Sequence, residues 1–143
     1  MEKRYLYIFI LLLAMMLLTF YFSFLSKLNY GNFYLEDFGA TQNLIKKSKN
    51  SYESDKIILT GIIDKESRDN YLLILTVDII IEDTHIIYTG RTRYWLVNFK
   101  NEKILGPFNR SDFNKLLDKT SLGGSNLEIP SYYVKYCTVD CNF

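Results

Sequence analysis

The 143-residue sequence has one histidine, two cysteines and almost no net charge, and each scarcity excludes something. A formal charge of +1 lacks the basic excess that phosphate backbones demand, so nucleic acid is not an expected partner. Two basic residues and one acidic residue precede Lys27, which leaves fifteen of each sign from Lys27 onward and a formally neutral remainder. The lone histidine, His85, stands in IIEDTHII. As strand residues Asp83 and His85 would share a face and Glu82 would point to the other, and two ligands on one strand do not make a metal site. The Gly-x-Ser-x-Gly elbow, the His-Glu-x-x-His pair and the phosphate-loop glycine pattern are all missing. The expectation is a noncatalytic protein, with no catalytic residue, metal or cofactor assigned.

Charge is also missing from Tyr5 to Ser26, YLYIFILLLAMMLLTFYFSFLS, which contains neither glycine nor proline. A run of that length predicts a transmembrane helix, its hydroxyls on Thr19, Ser23 and Ser26 bonding back along the chain. MEKR supplies a basic start, but no small-x-small cleavage site and no lipidation cysteine follows, which favours an uncleaved signal-anchor over a cleaved signal. Lys3 and Arg4 on the near side, against Lys27 on the far side, place the N-terminus in the cytoplasm by the positive-inside rule. The expected layout is a cytoplasmic segment 1–4, a single span of the cell membrane over 5–26, and an extracytoplasmic domain over 27–143. About 117 residues suit one domain.

Cys137 and Cys141 are the only cysteines, and an even count outside the cytosol commonly means a disulfide. The CTVDC spacing would close a very small loop; the alternative is two free thiols on a frayed tail. It has one residue too many for a Cys-x-x-Cys redox motif.

The exported part reads as mostly strand. NFYLEDFG ends at a glycine and suits a first strand, TQNLIKKSK a second, and KKSKNSYESDK a loop. IILTGIIDK is β-branched, with Gly61 as a candidate bulge or close approach. YLLILTVDIIIEDTHIIYTG is too long for one strand and should bend near Asp78 or at Glu82 and Asp83. RTRYWLVNF and EKILGPF form a hairpin signal around Lys100 and Asn101. A helix follows: Asn109 or Ser111 can cap it, Phe113, Leu116 and Leu117 share one face, and Gly123 and Gly124 stop it. A last strand is expected over Tyr132 to Tyr136. The predicted fold class is α+β: the transmembrane helix, then a small antiparallel sheet of about five to six strands with one short α-helix. Residues 64–83 are mostly acidic and 91–119 mostly basic, which reads as two solvated faces of that sheet.

The segment TRYWLVNFKNEKILGPFNRSDFNKLLDKTSL resembles the closing part of an uncharacterised family of small bacterial lipoproteins and membrane-anchored envelope proteins. Tyr94, Trp95, Gly106, Pro107, Phe113 and Leu116 carry the resemblance, which covers about a quarter of the chain. It implies a bacterial envelope protein with a sheet-plus-helix domain and no assigned activity. The lipid-attachment cysteine has no counterpart here, and CTVDC lies outside the pattern.

Tyr132, Tyr133 and Tyr136 near the tail, and Tyr88, Tyr94 and Trp95 on strands, read first as core and cross-strand pairs. Exposed tail tyrosines would suit a protein or glycan partner. The leading expectation is a noncatalytic binding module at the outer face of the cell membrane. Its rivals are an immunity-type protein that neutralises an envelope-acting toxin, and a small envelope enzyme without a recognisable motif.

Overall fold

In YLLILTV both alternating sets of side chains are apolar but for Thr76, a pattern that suits a strand covered on both faces. A computed structural model, which describes residues 12–18 and 29–143, places this strand inside an eight-stranded sheet. Strands β1 (Asn29–Tyr30), β2 (Phe33–Phe38), β3 (Thr41–Lys46), β4 (Lys56–Arg68), β5 (Tyr71–Glu82), β6 (His85–Asn98) and β7 (Lys103–Phe108) follow one another as an antiparallel meander. Helix α1 (Arg110–Lys119), a single helical turn α2 (Ser131–Val134) and strand β8 (Cys137–Val139) complete the chain, with β8 parallel to β6.

The two faces of β5 serve two cores. Leu73, Leu75 and Val77 pack with Ile63, Leu96, Phe113, Leu117 and Tyr133, so α1 and the C-terminal segment cover this face. Leu72 and Ile74 pack on the other side with Phe33, Leu44, Ile62 and Val97. Phe33 and Leu44 belong to strands of the same sheet, so the sheet must curl to bring them over β5. Contacts between the curled ends show how far it goes: the rings of Tyr30 and Phe99 lie 5.9 Å apart, and the Asn32 amide donates to Glu102 Oε1 at 2.6 Å. Lys46 also pairs with Glu102, which therefore joins β3 to the β6–β7 turn.

Register shifts interrupt the pairings of β3 with β4, β4 with β5, β5 with β6 and β6 with β7, and such bulges bend and twist a sheet. Gly61 is central to one of them. Its φ is +71°, and a Cβ there would overlap the carbonyl oxygen of Val77. The bend expected near Asp78 is the shift between Val77 and Ile79, and the chain then reverses at Asp83, whose φ is +51°.

The hairpin and helix after it follow their local signals. Asn98 Oδ1 accepts from the backbone N–H groups of Lys100 and Asn101 and closes the β6–β7 turn. Gly106 passes so close to β6 that a Cβ would lie 2.6 Å from the Trp95 ring. Asn109 caps α1 by accepting from the Asp112 N–H at 2.9 Å, and Phe113 stacks on Tyr94 with centroids 5.3 Å apart. Of the residues of the resemblance, Tyr94, Phe113 and Leu116 pack in one core, and Trp95, against Gly106, packs in the other.

Several expectations on fold are corrected. The transmembrane helix over Tyr5 to Ser26 is not upheld: among the described residues no helix is long and apolar enough to cross a membrane. Only residues 12–18 of that run are described, and they are helical. The rest of the run lies outside the described residues. The sheet has eight strands, not five to six, because β1 and β8 join the six strands β2 to β7; β8 makes it mixed. The strand expected at Tyr132–Tyr136 is the helical turn α2, where burial of Tyr133 beneath the tail overrides the β propensity of tyrosine. One acidic and one basic residue of the two charged stretches, Asp78 and Arg93, pair across β5 and β6.

Gly61→Ala is expected to lower the unfolding free energy by about 3 kcal/mol, from left-handed strain and overlap with Val77 together. Urea unfolding measures it. A loss below about 0.5 kcal/mol would mean that the bulge does not depend on glycine.

Candidate functional site

A cleft of about 400 Å³ opens where the β2–β3 turn, the middle of β4 and the C-terminal segment meet. Gly39 and Ala40 make the turn, with Gly39 at φ +61° above the hydroxyl of Tyr88. That hydroxyl accepts from the Ala40 N–H at 3.0 Å and ties the turn to β6. Beyond the turn, Gln42 stands between two charges: its Nε2 donates to Asp37 Oδ1 at 2.8 Å, and its Oε1 accepts from the Lys65 ammonium. Asp64, beside Lys65 on β4, accepts from the backbone N–H of Lys65 at 2.8 Å and of Glu128 at 2.9 Å.

The far wall is aromatic. The hydroxyl of Tyr132 donates to the Ile63 carbonyl at 3.1 Å and lays that side chain against β4, and Tyr136 follows one turn later. Both line the cleft and remain open to solvent, at 47% and 54% exposure. Tyr133 between them is fully buried, donates to the Thr89 carbonyl at 2.9 Å, and meets the Tyr88 ring edge-on at 5.8 Å. Burial holds the Tyr133 phenol well above the usual tyrosine range.

The tail is anchored beyond these tyrosines. Cys137 and Cys141 are joined by a disulfide with their Cα atoms 5.9 Å apart, within the usual span. β8 pairs with β6 at Tyr88 and Thr89, and Arg91 Nε donates to Asp140 Oδ2 at 2.6 Å. The tail is therefore held in place, not frayed.

Electrostatically the cleft carries two carboxylates and one ammonium. Burial pushes the Lys65 ammonium below the ordinary lysine range, and the charges of Asp37 and Asp64 restore part of the loss. Burial raises the Tyr132 phenol, and the Asp64 carboxylate adds to the effect.

Two other depressions have less to offer. One of about 420 Å³ is lined by Trp95, Pro107, Asp78 and Arg93, but Arg93 meets Asp78 with two hydrogen bonds of 3.0 and 3.2 Å, and Trp95 donates to Thr76 Oγ1 at 2.9 Å. A smaller one of about 200 Å³ lies among Tyr71, Asn98, Lys103 and Thr120. His85 is exposed at the tip of the β5–β6 hairpin, opposite Glu82, while Asp83 turns the chain and does not share its face. Among the described residues no three His, Cys, Asp or Glu side chains converge as a metal site would require.

Of the residues singled out in the sequence, the structure brings Tyr132 and Tyr136 to the cleft and the disulfide next to it. Asp37, Gln42, Asp64 and Lys65 were not foreseen as a group. They lie on three strands, and no local motif announces that Lys65 will reach Gln42.

Residues 30–129 match the family described as Protein of unknown function (DUF3997). The chain belongs to the DUF3997 family. The matched region holds all eight strands except β8 and the first residue of β1, together with α1, Asp37, Gln42, Asp64 and Lys65. It ends before the Tyr132–Tyr136 wall and the disulfide. The match is to an uncharacterised family and carries neither a lipoprotein nature nor a bacterial origin. No curated protein and no solved structure matches this DUF3997 chain.

Two stability measurements separate scaffold from site. Replacing Cys137 and Cys141 together by Ser should lower the unfolding free energy by about 2 kcal/mol, the loop-entropy value for so short a ring. Denaturant unfolding under nonreducing conditions reads it, and an unchanged midpoint would mean that the tail is held without the bridge. Lys65→Met should melt at or above the wild-type temperature, because the half-buried ammonium is disfavoured by its surroundings. A melting point lower by several degrees would make Lys65 a structural residue.

Proposed function

We propose that this DUF3997 protein is a noncatalytic binding module that works outside the cytoplasm, at the cell envelope, and takes its partner in the cleft between the β2–β3 turn and the C-terminal tyrosines. The observation that carries this reading is the pinned aromatic wall: Tyr132 and Tyr136 stay exposed beside a polar cleft while Tyr133 and the disulfide hold the segment that bears them. Exposed aromatic rings on a rigid support are favourable anchors for a partner, because little freedom is lost on binding.

The disulfide supports an oxidising compartment, since such bonds rarely persist in the cytosol. The state of the carboxylates supports binding over catalysis. Both oxygens of Asp64 accept backbone hydrogen bonds and one oxygen of Asp37 accepts from Gln42, so these carboxylates act first as hydrogen-bond acceptors that shape the cleft. The only histidine is at a hairpin tip and does not line the cleft. An envelope protein or a glycan is the partner class this surface suits.

A photo-crosslinking amino acid at Tyr136 should give a discrete adduct in intact cells, while the same group at Tyr52, 95% exposed on the β3–β4 loop, should not. Equal labelling from both positions would remove the cleft as the binding surface. Thiol alkylation of intact cells checks the compartment: Cys137 and Cys141 should resist modification until reduced. Free thiols there would place the domain in a reducing compartment.

A further inference from the structure

Resting on the binding reading above, we infer that the cleft takes an uncharged saccharide, one or two rings of a neutral glycan lying between the tyrosine wall and the Lys65–Gln42–Asp37 row. Along that row a cationic donor, an amide and a carboxylate acceptor stand in sequence. Lys65 commits one of its three donors to Gln42, and Asp37 commits one oxygen to the same amide. The row therefore offers donors at one end and acceptors at the other. Vicinal hydroxyls, each able to give and to accept, complement both ends at once.

Other ligand classes fit less well. An apolar molecule would desolvate Lys65, Asp37 and Asp64 without replacing their water. An anion would meet two carboxylates for one ammonium. A peptide added as an extra strand needs a free sheet edge, and the strands β3 and β4 that carry Gln42, Asp64 and Lys65 are each paired on both sides. A sugar ring has what the opposite wall requires, a C–H face to lie on an aromatic ring. Tyr132 is fixed by its bond to the Ile63 carbonyl, and the Tyr136 ring lies 6.1 Å from that of Tyr88, so both plates are set before a ligand arrives. The volume of about 400 Å³ is that of a small-molecule site.

Isothermal titration of the full chain with chitotetraose, cellotetraose and the anionic tetramer of galacturonic acid tests the assignment. At least one neutral tetrasaccharide should bind saturably, and the anionic one about tenfold more weakly or not at all. Tyr136→Ala and Asp37→Ala, both at exposed positions, should each weaken binding about tenfold with melting temperature retained; Tyr52→Ala should not change it. If one cleft variant fails to fold, the other still decides. Preference for the anionic tetramer, or equal affinity of wild type and both cleft variants, overturns the saccharide assignment. No binding to any neutral tetrasaccharide, with a protein adduct from Tyr136 in cells, overturns it and leaves the binding module standing. Neither glycan binding nor a cellular adduct removes both readings.

Discussion

Burial of both faces of β5 is the constraint on which the rest of the structure depends. Leu72 and Ile74 on one side and Leu73, Leu75 and Val77 on the other all require cover, and a flat meander covers neither side. The chain meets the first need by curling, which brings Phe33 and Leu44 of the leading strands over the strand. It meets the second with material from the end of the chain: α1 contributes Phe113 and Leu117, and the segment beyond it contributes Leu127 and Tyr133. Cover from two distant parts of the sequence is what creates a seam. The cleft lies on that seam, between a turn of the curled sheet and the tail laid across it.

Tyr88 joins the two sides. Its hydroxyl receives the Ala40 N–H from the β2–β3 turn, while its ring meets Tyr133 and Tyr136 from the tail. The backbone at the same place pairs with Cys137 of β8. One residue of β6 thereby sets the turn that carries the polar wall against the segment that carries the aromatic wall. The disulfide adds a local restraint on the tail just beyond Tyr136, and it needs no contact with a ligand to do so.

What was legible in the sequence was what local chemistry decides. The β6–β7 turn, the Asn109 cap, the α1 face of Phe113 and Leu117, the close approach at Gly61 and the bend at Asp78 each follow from residues within a few positions of one another. The cleft was not legible, because its hydrogen bonds join positions far apart: Gln42 to Lys65, 23 residues on, Asp64 to Glu128 across 64, and Ile63 to Tyr132 across 69. For the same reason Tyr132–Tyr136 reads as strand by composition and folds as a helical turn, since the decisive partner of Tyr133 is Thr89, 44 residues earlier. The N-terminal run is a different case. Its hydropathy speaks for a length of helix that the described residues, helical over 12–18, do not show.

The charge at Lys65 bears on why a cleft exists here at all. An ammonium half-buried between strands is opposed by desolvation, and Asp37 and Asp64 offset that only in part. Methionine in its place would fill comparable space without the penalty, so packing alone gives no reason for lysine. Tyr136 presents the converse case, a large ring left more than half exposed although the apolar seam lies beside it. A charge drawn inward and an aromatic ring left outward face the same 400 Å³. Each departs from its solvation preference, and that pair of departures is the physical ground for the proposal that the cleft receives a ligand.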